Sequence, residues 1–299
     1  MSRRRNTNKQ NKLITLLFTL TIIIAVIVYV TGTFKGPQKD QSANTGREAL
    51  SVQFIDVGQA DSTLITLGTG ETMLIDAGES PEADAVFEEL DERGIRDIDI
   101  LVATHPHADH IGGMRSVVER YTTGRLLLPD MKSDSRTYEK LIEAIDSKSV
   151  PIVEVYAGYR FSLGSAVCTV VSPDADDNKD ANNESVVIYL DFGETDFLFT
   201  GDMEEWAEEQ VLDKHYYIDA NVLKVAHHGS STSSMEAFLS AVSPDYAVIS
   251  CDQDNDYGHP HAETLDRLSD TGAEIYRTDA QGDILFISDG KTLTISTGD

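Results

Sequence analysis

The chain has 299 residues, 40 % hydrophobic and 25 % charged, with 24 Lys+Arg against 51 Asp+Glu and a formal net charge of −27. This composition excludes an intrinsically disordered or collagen-like chain and leaves room for one large domain or two small ones. Two cysteines, Cys168 and Cys251, exclude a disulfide-stapled scaffold or a Cys-rich zinc module; they either pair or stay reduced, with buried free thiols the simpler reading.

The charge is uneven. Residues 1–47 carry eight basic side chains and one acid, Asp40, leaving 16 basic against 50 acidic residues in the remainder, a net of −34. Such a surface repels polyanions at long range and argues against groove-tracking nucleic-acid binding, which needs a basic footprint. A polyanionic substrate held at a local cationic site stays open.

Residues 1–12 form a basic segment, and residues 13–34 that follow are 22 residues without a charge. As a helix that run reaches about 33 Å, enough to cross the hydrocarbon core of a bilayer. Five basic residues precede it, which by the positive-inside rule leaves the N-terminus in the cytoplasm and exports the rest. A cleaved signal peptide is the competing reading. The apolar region is long for one, and Tyr29-Val30-Thr31-Gly32-Thr33 makes a poor small-x-small cleavage site. The expectation is an uncleaved single-pass anchor in the cell membrane with an extracellular domain. Residues 35–48 are polar and rich in turn formers and read as a flexible linker, and the folded domain occupies 49–299.

Within that domain, β-branched runs alternate with amphipathic helices. Strands are predicted at Ser51–Asp56, Ser62–Leu67, Thr72–Asp76, Ile98–Ala103, Arg125–Leu128, Ile152–Val155 and Ala166–Val171. A second series follows at Ser185–Leu190, Thr195–Thr200, Asn221–Ala226, Tyr246–Ser250, Glu274–Arg277, Asp283–Ile287 and Thr292–Ile295. Helix 82–93 aligns Val86, Phe87 and Leu90, and helix 203–214 aligns Met203, Trp206, Ala207 and Val211 as its buried stripe. Helices near 135–147, 234–242 and 262–271 show similar stripes. Two sheets with helices outside them are expected, their two halves similar in layout.

The strongest chemical signal is Thr104-His105-Pro106-His107-Ala108-Asp109-His110-Ile111-Gly112-Gly113, directly after an apolar strand. Three of eight histidines and an aspartate within six positions offer imidazole nitrogen and carboxylate oxygen, a donor set suited to zinc, manganese or iron. A solvent-facing polar loop would not cluster them so. Gly201-Asp202, His227-His228-Gly229-Ser230-Ser231 and Tyr257-Gly258-His259-Pro260-His261 likewise follow predicted strands. Loops at one edge of a rigid sheet are where sites are assembled, so these segments read as one site. Asp202 alone could equally cap the helix after it.

His105 to Gly113 resembles the metal motif of the metallo-β-lactamase superfamily, an αββα sandwich of α/β class with one or two metal ions between its halves. Phe54-Ile55-Asp56-Val57-Gly58-Gln59-Ala60-Asp61, Leu74-Ile75-Asp76-Ala77-Gly78, Asn182 to Val187, Phe199 to Asp202, Leu223 to Ser230 and Tyr257 to His261 extend the likeness. Together they resemble the extracellular hydrolase domain of ComEC-type competence (DNA-uptake) proteins and their stand-alone relatives. The resemblance implies that His105 and His107 hold a first divalent metal, Zn or Mn, and that Asp109, His110 and His227 hold a second, with Asp202 bridging. It implies attack of a hydroxide on phosphorus while the ions neutralise the developing charge. Asp109 and His228 would take part in catalysis. His228, Ser230 and His259 would line the substrate side, with Asp56 and Asp61 on the opposite wall. His228 has an alternative role as the outer partner of its neighbour.

The sequence departs from the superfamily in two places. Asn182 or Asn183 stands where a third histidine usually serves the first metal, which implies a looser site or one that prefers manganese. Ala60 stands where relatives carry glycine and would disfavour a positive φ there. The acidic stretch Asp174 to Asp180 lacks the Gly and Glu of a calcium-binding hand and reads as a solvated loop. The function expected is a membrane-anchored phosphodiesterase or nuclease, with competence-machinery partners. A teichoic acid or its phosphocholine, an acyl substrate (lactam, lactone or thioester), or a non-catalytic binding module are the alternatives. A single apolar span cannot itself form a DNA channel.

Overall fold

In the computed structural model, which describes residues 48–80, 83–130, 133–174 and 180–298, the apolar runs pair into two large mixed sheets. In chain order the first strands are β1 (Leu50–Phe54), β2 (Thr63–Leu67), β3 (Thr72–Ile75), β4 (Asp97–Ile98), β5 (Ile100–Val102), β6 (Thr122–Thr123), β7 (Leu126–Leu128) and β8 (Ile152–Glu154). They are followed by β9 (Arg160–Leu163), β10 (Ala166–Ser172), β11 (Val187–Phe192), β12 (Thr195–Phe199), β13 (Val222–Lys224), β14 (Tyr246–Ile249), β15 (Glu274–Arg277), β16 (Ile284–Ser288) and β17 (Leu293–Thr297). One sheet runs β17-β16-β1-β2-β3-β5-β7-β8 and the other β15-β14-β13-β12-β11-β10-β9, with β4 and β6 as a small separate pair.

The helices are α1 (Ala83–Glu92), α2 (Ala108–Ile111), α3 (Met114–Arg120), α4 (Arg136–Lys148), α5 (Glu205–Asp213), α6 (Glu236–Val242), α7 (Ala262–Thr271) and α8 (Thr278–Gln281). Three apolar layers hold the fold together. Phe54, Ile65 and Phe286 of the first sheet meet Ile188, Phe197 and Phe199 of the second in the central core. Val86, Leu90, Met114, Val117 and Ile145 cover the outer face of the first sheet, and Ala207, Val211, Phe238, Leu239 and Leu268 that of the second. Helices thus cover both outer faces of two stacked sheets, the αββα order that lets each element bury its apolar side.

The structure corrects four expectations. The last two strands do not complete a second half like the first: β16 pairs with β1, so the end of the described chain returns to the opening sheet. The predicted strand Ile98–Ala103 is interrupted at Asp99, whose carboxylate accepts the Thr72 N–H at 2.8 Å and leaves only Ile100–Val102 between β3 and β7. Trp206 is 38 % exposed, so the buried stripe of α5 is Ala207 and Val211, with Met203 ahead of it. Ala60 needs no positive φ, because the left-handed turn of its loop falls on Gly58. Cys168 and Cys251 are buried and unpaired, one in the central core and one under the outer helices.

The predicted anchor at 13–34 and its flanking segments 1–12 and most of 35–48 lie outside the described residues, as does 175–179 of the acidic loop. Among the described residues no helix is long and apolar enough to cross a membrane.

One buried carboxylate ties α5 to α6. Glu208 accepts the backbone N–H groups of Ser234 and Met235 at the start of α6, and burial pushes its carboxyl up from 4.5 to about 7. A folded-state value above the unfolded one means the folded protein retains this proton while the unfolded chain loses it. Stability from this group therefore falls as pH rises from about 4.5 through 7. Glu208→Gln is expected to flatten the pH dependence of urea unfolding between pH 5 and 8, by up to about 3 kcal/mol. An unchanged slope would show that Glu208 is ionised throughout.

Candidate metal centre

β5 runs parallel to β3 and β7, and β12, β13 and β14 run parallel to one another, so the loops after their C-terminal ends gather along one edge of the sandwich. The loop after β5 carries His105, His107, Asp109 and His110 into α2. Its two glycines are a packing requirement. A Cβ on Gly113 would lie 2.2 Å from the Ala77 carbonyl oxygen, and one on Gly112 would lie 2.8 Å from the Ser80 amide. That contact holds the histidine loop against the segment after β3.

From that segment comes Asp76, a residue sequence reasoning quoted but gave no role. Its backbone is left-handed, at φ 56, and its carboxylate accepts from the Thr104 amide at 2.9 Å and from the Thr104 hydroxyl at 2.7 Å. The same carboxylate lies 2.8 Å from His110 Nδ1, which fixes that nitrogen as the N–H and turns Nε2 inward.

Asp202, after β12, lies at the middle of the site. Its Oδ1 is 3.2 Å from His110 Nε2, and its Oδ2 is 3.9 Å from His105 Nε2, 3.7 Å from His228 Nε2 and 3.8 Å from His227 Nε2. Ser185 Oγ accepts the Asp202 amide at 3.1 Å and steadies the loop. The carboxylate thus stands within reach of four imidazoles, Oδ1 towards His110 and Oδ2 towards His105, His227 and His228. His105 Nε2 also stands 3.0 Å from Nδ1 of the exposed His107.

Of the two adjacent histidines, His228 is the buried one, and His227 stands nearer the rim. His228 donates through Nδ1 to the Ser250 carbonyl at 3.0 Å, and its Nε2 points at Asp109 Oδ2, 3.4 Å away. Asp109, His110, Asp202 and His228 therefore form one group, with donor atoms within 4.8 Å of one another. His227 stands at the rim, its side chain 23 % exposed, with Nδ1 3.2 Å from Glu204 Oε1. Both histidines have left-handed backbones (φ 50 and 53), followed by Gly229 at φ 82, where a Cβ would lie 2.6 Å from Pro260 Cβ. Two consecutive non-glycine residues in this region cost roughly 1–2 kcal/mol each. Such strain persists where the surroundings dictate it, as functional sites do.

Other predicted residues separate in the same way. Asn182 lines the site with a buried Oδ1 that has no hydrogen-bond partner, whereas Asn183 Oδ1 accepts from the amides of Glu204 and Ala207 and caps α5. Asp61 is not an open wall. It is buried behind the site, its carboxylate 2.6 Å from Lys224 Nζ and 3.5 Å from His228 Nδ1. Ser230 Oγ bonds Thr232 and is absent from the lining, and Asp56 is exposed and accepts the Gly58 amide. His259 lines the site, and burial beside His227 and His228 holds its imidazole down at about 4, neutral at pH 7. Lys224 and Glu204 were missed. A lysine inside the apolar run Val222 to Ala226 was the available signal, since a charge in a buried strand demands a partner.

The electrostatics favour a cation. Burial opposes charge on Asp109 and Asp202, but His110 and His228 outweigh it and hold both carboxyls below the usual carboxylate range. Burial likewise opposes charge on His110 and His228, and Asp202 outweighs it and raises both. His105 is held neutral by burial and by His110. The buried atoms His110 Nε2, His228 Nε2, Asp202 Oδ1 and Asn182 Oδ1 have no hydrogen-bond partner. Orphaned lone pairs of this kind are costly unless something fills the space between them. Nitrogen and carboxylate oxygen without thiolate suit a borderline divalent ion, which would compete with protons for the same atoms.

Comparison with known proteins agrees with this construction. Residues 55–253 match the Metallo-beta-lactamase superfamily. ComE operon protein 3 of Bacillus subtilis is 31 % identical over 252 residues, covering 79 % of this chain and 32 % of that protein. Competence protein ComA of Neisseria gonorrhoeae is 29 % identical over 251 residues, with 79 % and 32 % coverage. The chain thus spans about a third of the length of these curated relatives. Among solved structures, the metallo-beta-lactamase fold protein YhfI from Bacillus subtilis superposes with a TM-score of 0.53 at 13 % identity, covering 81 % of this chain and 100 % of that one, a likeness of fold.

Proposed function

The chain belongs to the metallo-beta-lactamase superfamily, and on that premise we propose that it is a membrane-anchored, extracellular phosphodiesterase acting on nucleic acid. The observation that carries the reading is the convergence of Asp109, His110, Asp202 and His228, with His105 beside them, next to a cavity of about 350 Å³ that His107, Asp109, Asn182, Asp202 and His228 help to line. His105, His107 and Asp202 would hold one divalent ion, and Asp109, His110, His228 and Asp202 a second. Bound there, such ions supply Lewis acidity towards a phosphoryl oxygen and a water made nucleophilic at neutral pH.

The protein's own residues do the rest. Asp76 holds the His110 ring in one tautomer, and the Ser250 carbonyl does the same for His228. Asp109, at the edge of the pocket, is kept ionised by His228 and His110 and so offers a fixed negative charge to a cation. Glu204 orients His227 at the mouth, where a leaving group would depart. Among the described residues no serine or cysteine lines the cavity, so a covalent acyl-enzyme has no evident nucleophile there.

Similarity to proteins named for competence supports nucleic acid as the substrate class, with competence-machinery partners. The charge-free run at 13–34 supports the anchor. The purified protein, supplied with Mn²⁺ or Zn²⁺, is expected to cleave DNA, to lose that activity to a chelator and to recover it on adding metal. No cleavage at any salt concentration, alongside turnover of teichoic acid or of a chromogenic β-lactam, would replace the nuclease reading.

A further inference from the structure

The pocket is bordered on its outer side by stacked rings. His228 and His259 lie with centroids 6.3 Å apart and planes at 22°, and Tyr257 lies 5.6 Å beyond His259 at the same angle. The series leads from the candidate metal centre to solvent, where Tyr257 is 68 % exposed. It is the one exposed large aromatic among the described residues that lines this pocket.

Its loop is held in place. Asn255 Oδ1 accepts the amides of both Tyr257 and His259, and Asn255 Nδ2 donates to the carbonyls of Asp252 and His259. His261 Nδ1 accepts the Ser231 amide, which leaves Nε2 to donate to the Tyr257 carbonyl at 3.2 Å. From the opposite wall, Gln59 Oε1 accepts the Asp252 amide and Gln59 Nε2 stands 3.4 Å from His259 Nδ1. A loop whose backbone is fixed by this many bonds presents the Tyr257 ring from a preorganised position, ready to receive a planar group at little ordering cost.

The lining also lacks something. It includes no lysine or arginine among the described residues, and the nearby Lys224 is buried against Asp61. Phosphate contacts by cationic side chains, the usual source of nucleic-acid affinity, are missing here. We propose that Tyr257 and His259 form a base-stacking subsite, so that the enzyme takes unpaired nucleotides and draws its affinity from the base rather than from the phosphate backbone. The proposal rests on the phosphodiesterase reading. Bases within a continuous duplex are already stacked on their neighbours, so single strands are the preferred form. Base–aromatic stacking is tolerant of sequence, because every base has a π-face.

The test compares oligothymidylate with an abasic oligodeoxyribonucleotide of the same length, on the full chain with Mn²⁺. Wild type is expected to show a KM about tenfold lower for oligothymidylate. Tyr257→Ala erases that difference with little change in kcat, and Tyr257→Trp retains it. Because the domain is strongly acidic and no lysine or arginine of the described lining displaces counterions from the phosphates, KM falls as salt is raised, the reverse of a phosphate-tracking protein. Equal KM values for the two strands in wild type would overturn the subsite and leave the phosphodiesterase reading standing. Failure to cleave either strand, with turnover of a non-nucleotide phosphodiester, would overturn both the subsite and the nucleic-acid reading.

Discussion

His228→Ala is expected to lower the metal content of the purified protein and to reduce phosphodiesterase activity by more than about 100-fold, beyond what losing an outer partner costs. His227→Ala leaves the metal content unchanged and costs about 10–100-fold at most. The contrast follows from the direction of the rings. His228 is fixed through Nδ1 and offers a buried, unpartnered Nε2 to Asp109 and Asp202, whereas His227 is held at the rim by Glu204. Elemental analysis beside activity separates the two roles. Loss of metal from the His227 variant, with retention in the His228 variant, would reverse the assignment.

Lys224→Met is expected to destabilise the protein by about 3–5 kcal/mol in urea unfolding, because it leaves the Asp61 carboxylate buried without its cation. Lys224 is 3 % exposed and donates to Asp61 at 2.6 Å and to the Val225 carbonyl at 3.0 Å. Asp61→Leu is expected to cost a similar amount by stranding the lysine. The double variant costs much less than the two single ones combined, since the pair's attraction offsets desolvation that an apolar pair does not incur. Strict additivity would show that the two groups act independently. The pair also bears on the site, for the Asp61 amide donates to the Asp109 carbonyl and the Gly78 amide donates to the Asp61 carbonyl. Disturbing it therefore shifts the histidine loop as well.

Most strands and the larger helices were legible because alternation, capping and β-branched runs are local signals. The short helix Met114–Arg120 and the two-residue strands β4 and β6 were not, since so few residues set no period. The histidine motif could be read because its donors are contiguous. Which of His227 and His228 faces inward could not. Two left-handed residues in succession turn the chain in a way no alternation rule describes, and only packing against Pro260 and Ser250 decides it. Asn182 and Asn183 posed the same problem: Asn183 is taken up by the amides of Glu204 and Ala207, which leaves Asn182 at the lining. Asp76 and Lys224 act through partners 34 and 163 residues away in sequence, a separation that spacing arguments do not reach.

The return of β16 to pair with β1 sets an order of events during synthesis. The histidine motif emerges early, Asp202 and His228 much later, and β16 and β17, which complete the opening sheet, after both. Until then one edge of Leu50–Phe54 has no partner, and the Asp56 amide lacks the Asp283 carboxylate that it meets at 2.7 Å. A cation meeting a chain made only as far as the histidine motif finds only the donors of that loop, without the Asp202 carboxylate. Asp202 and His228 both precede β16 in the chain, so the full donor set exists while the opening sheet still lacks its closing strands, and capture of a cation does not wait for that closure.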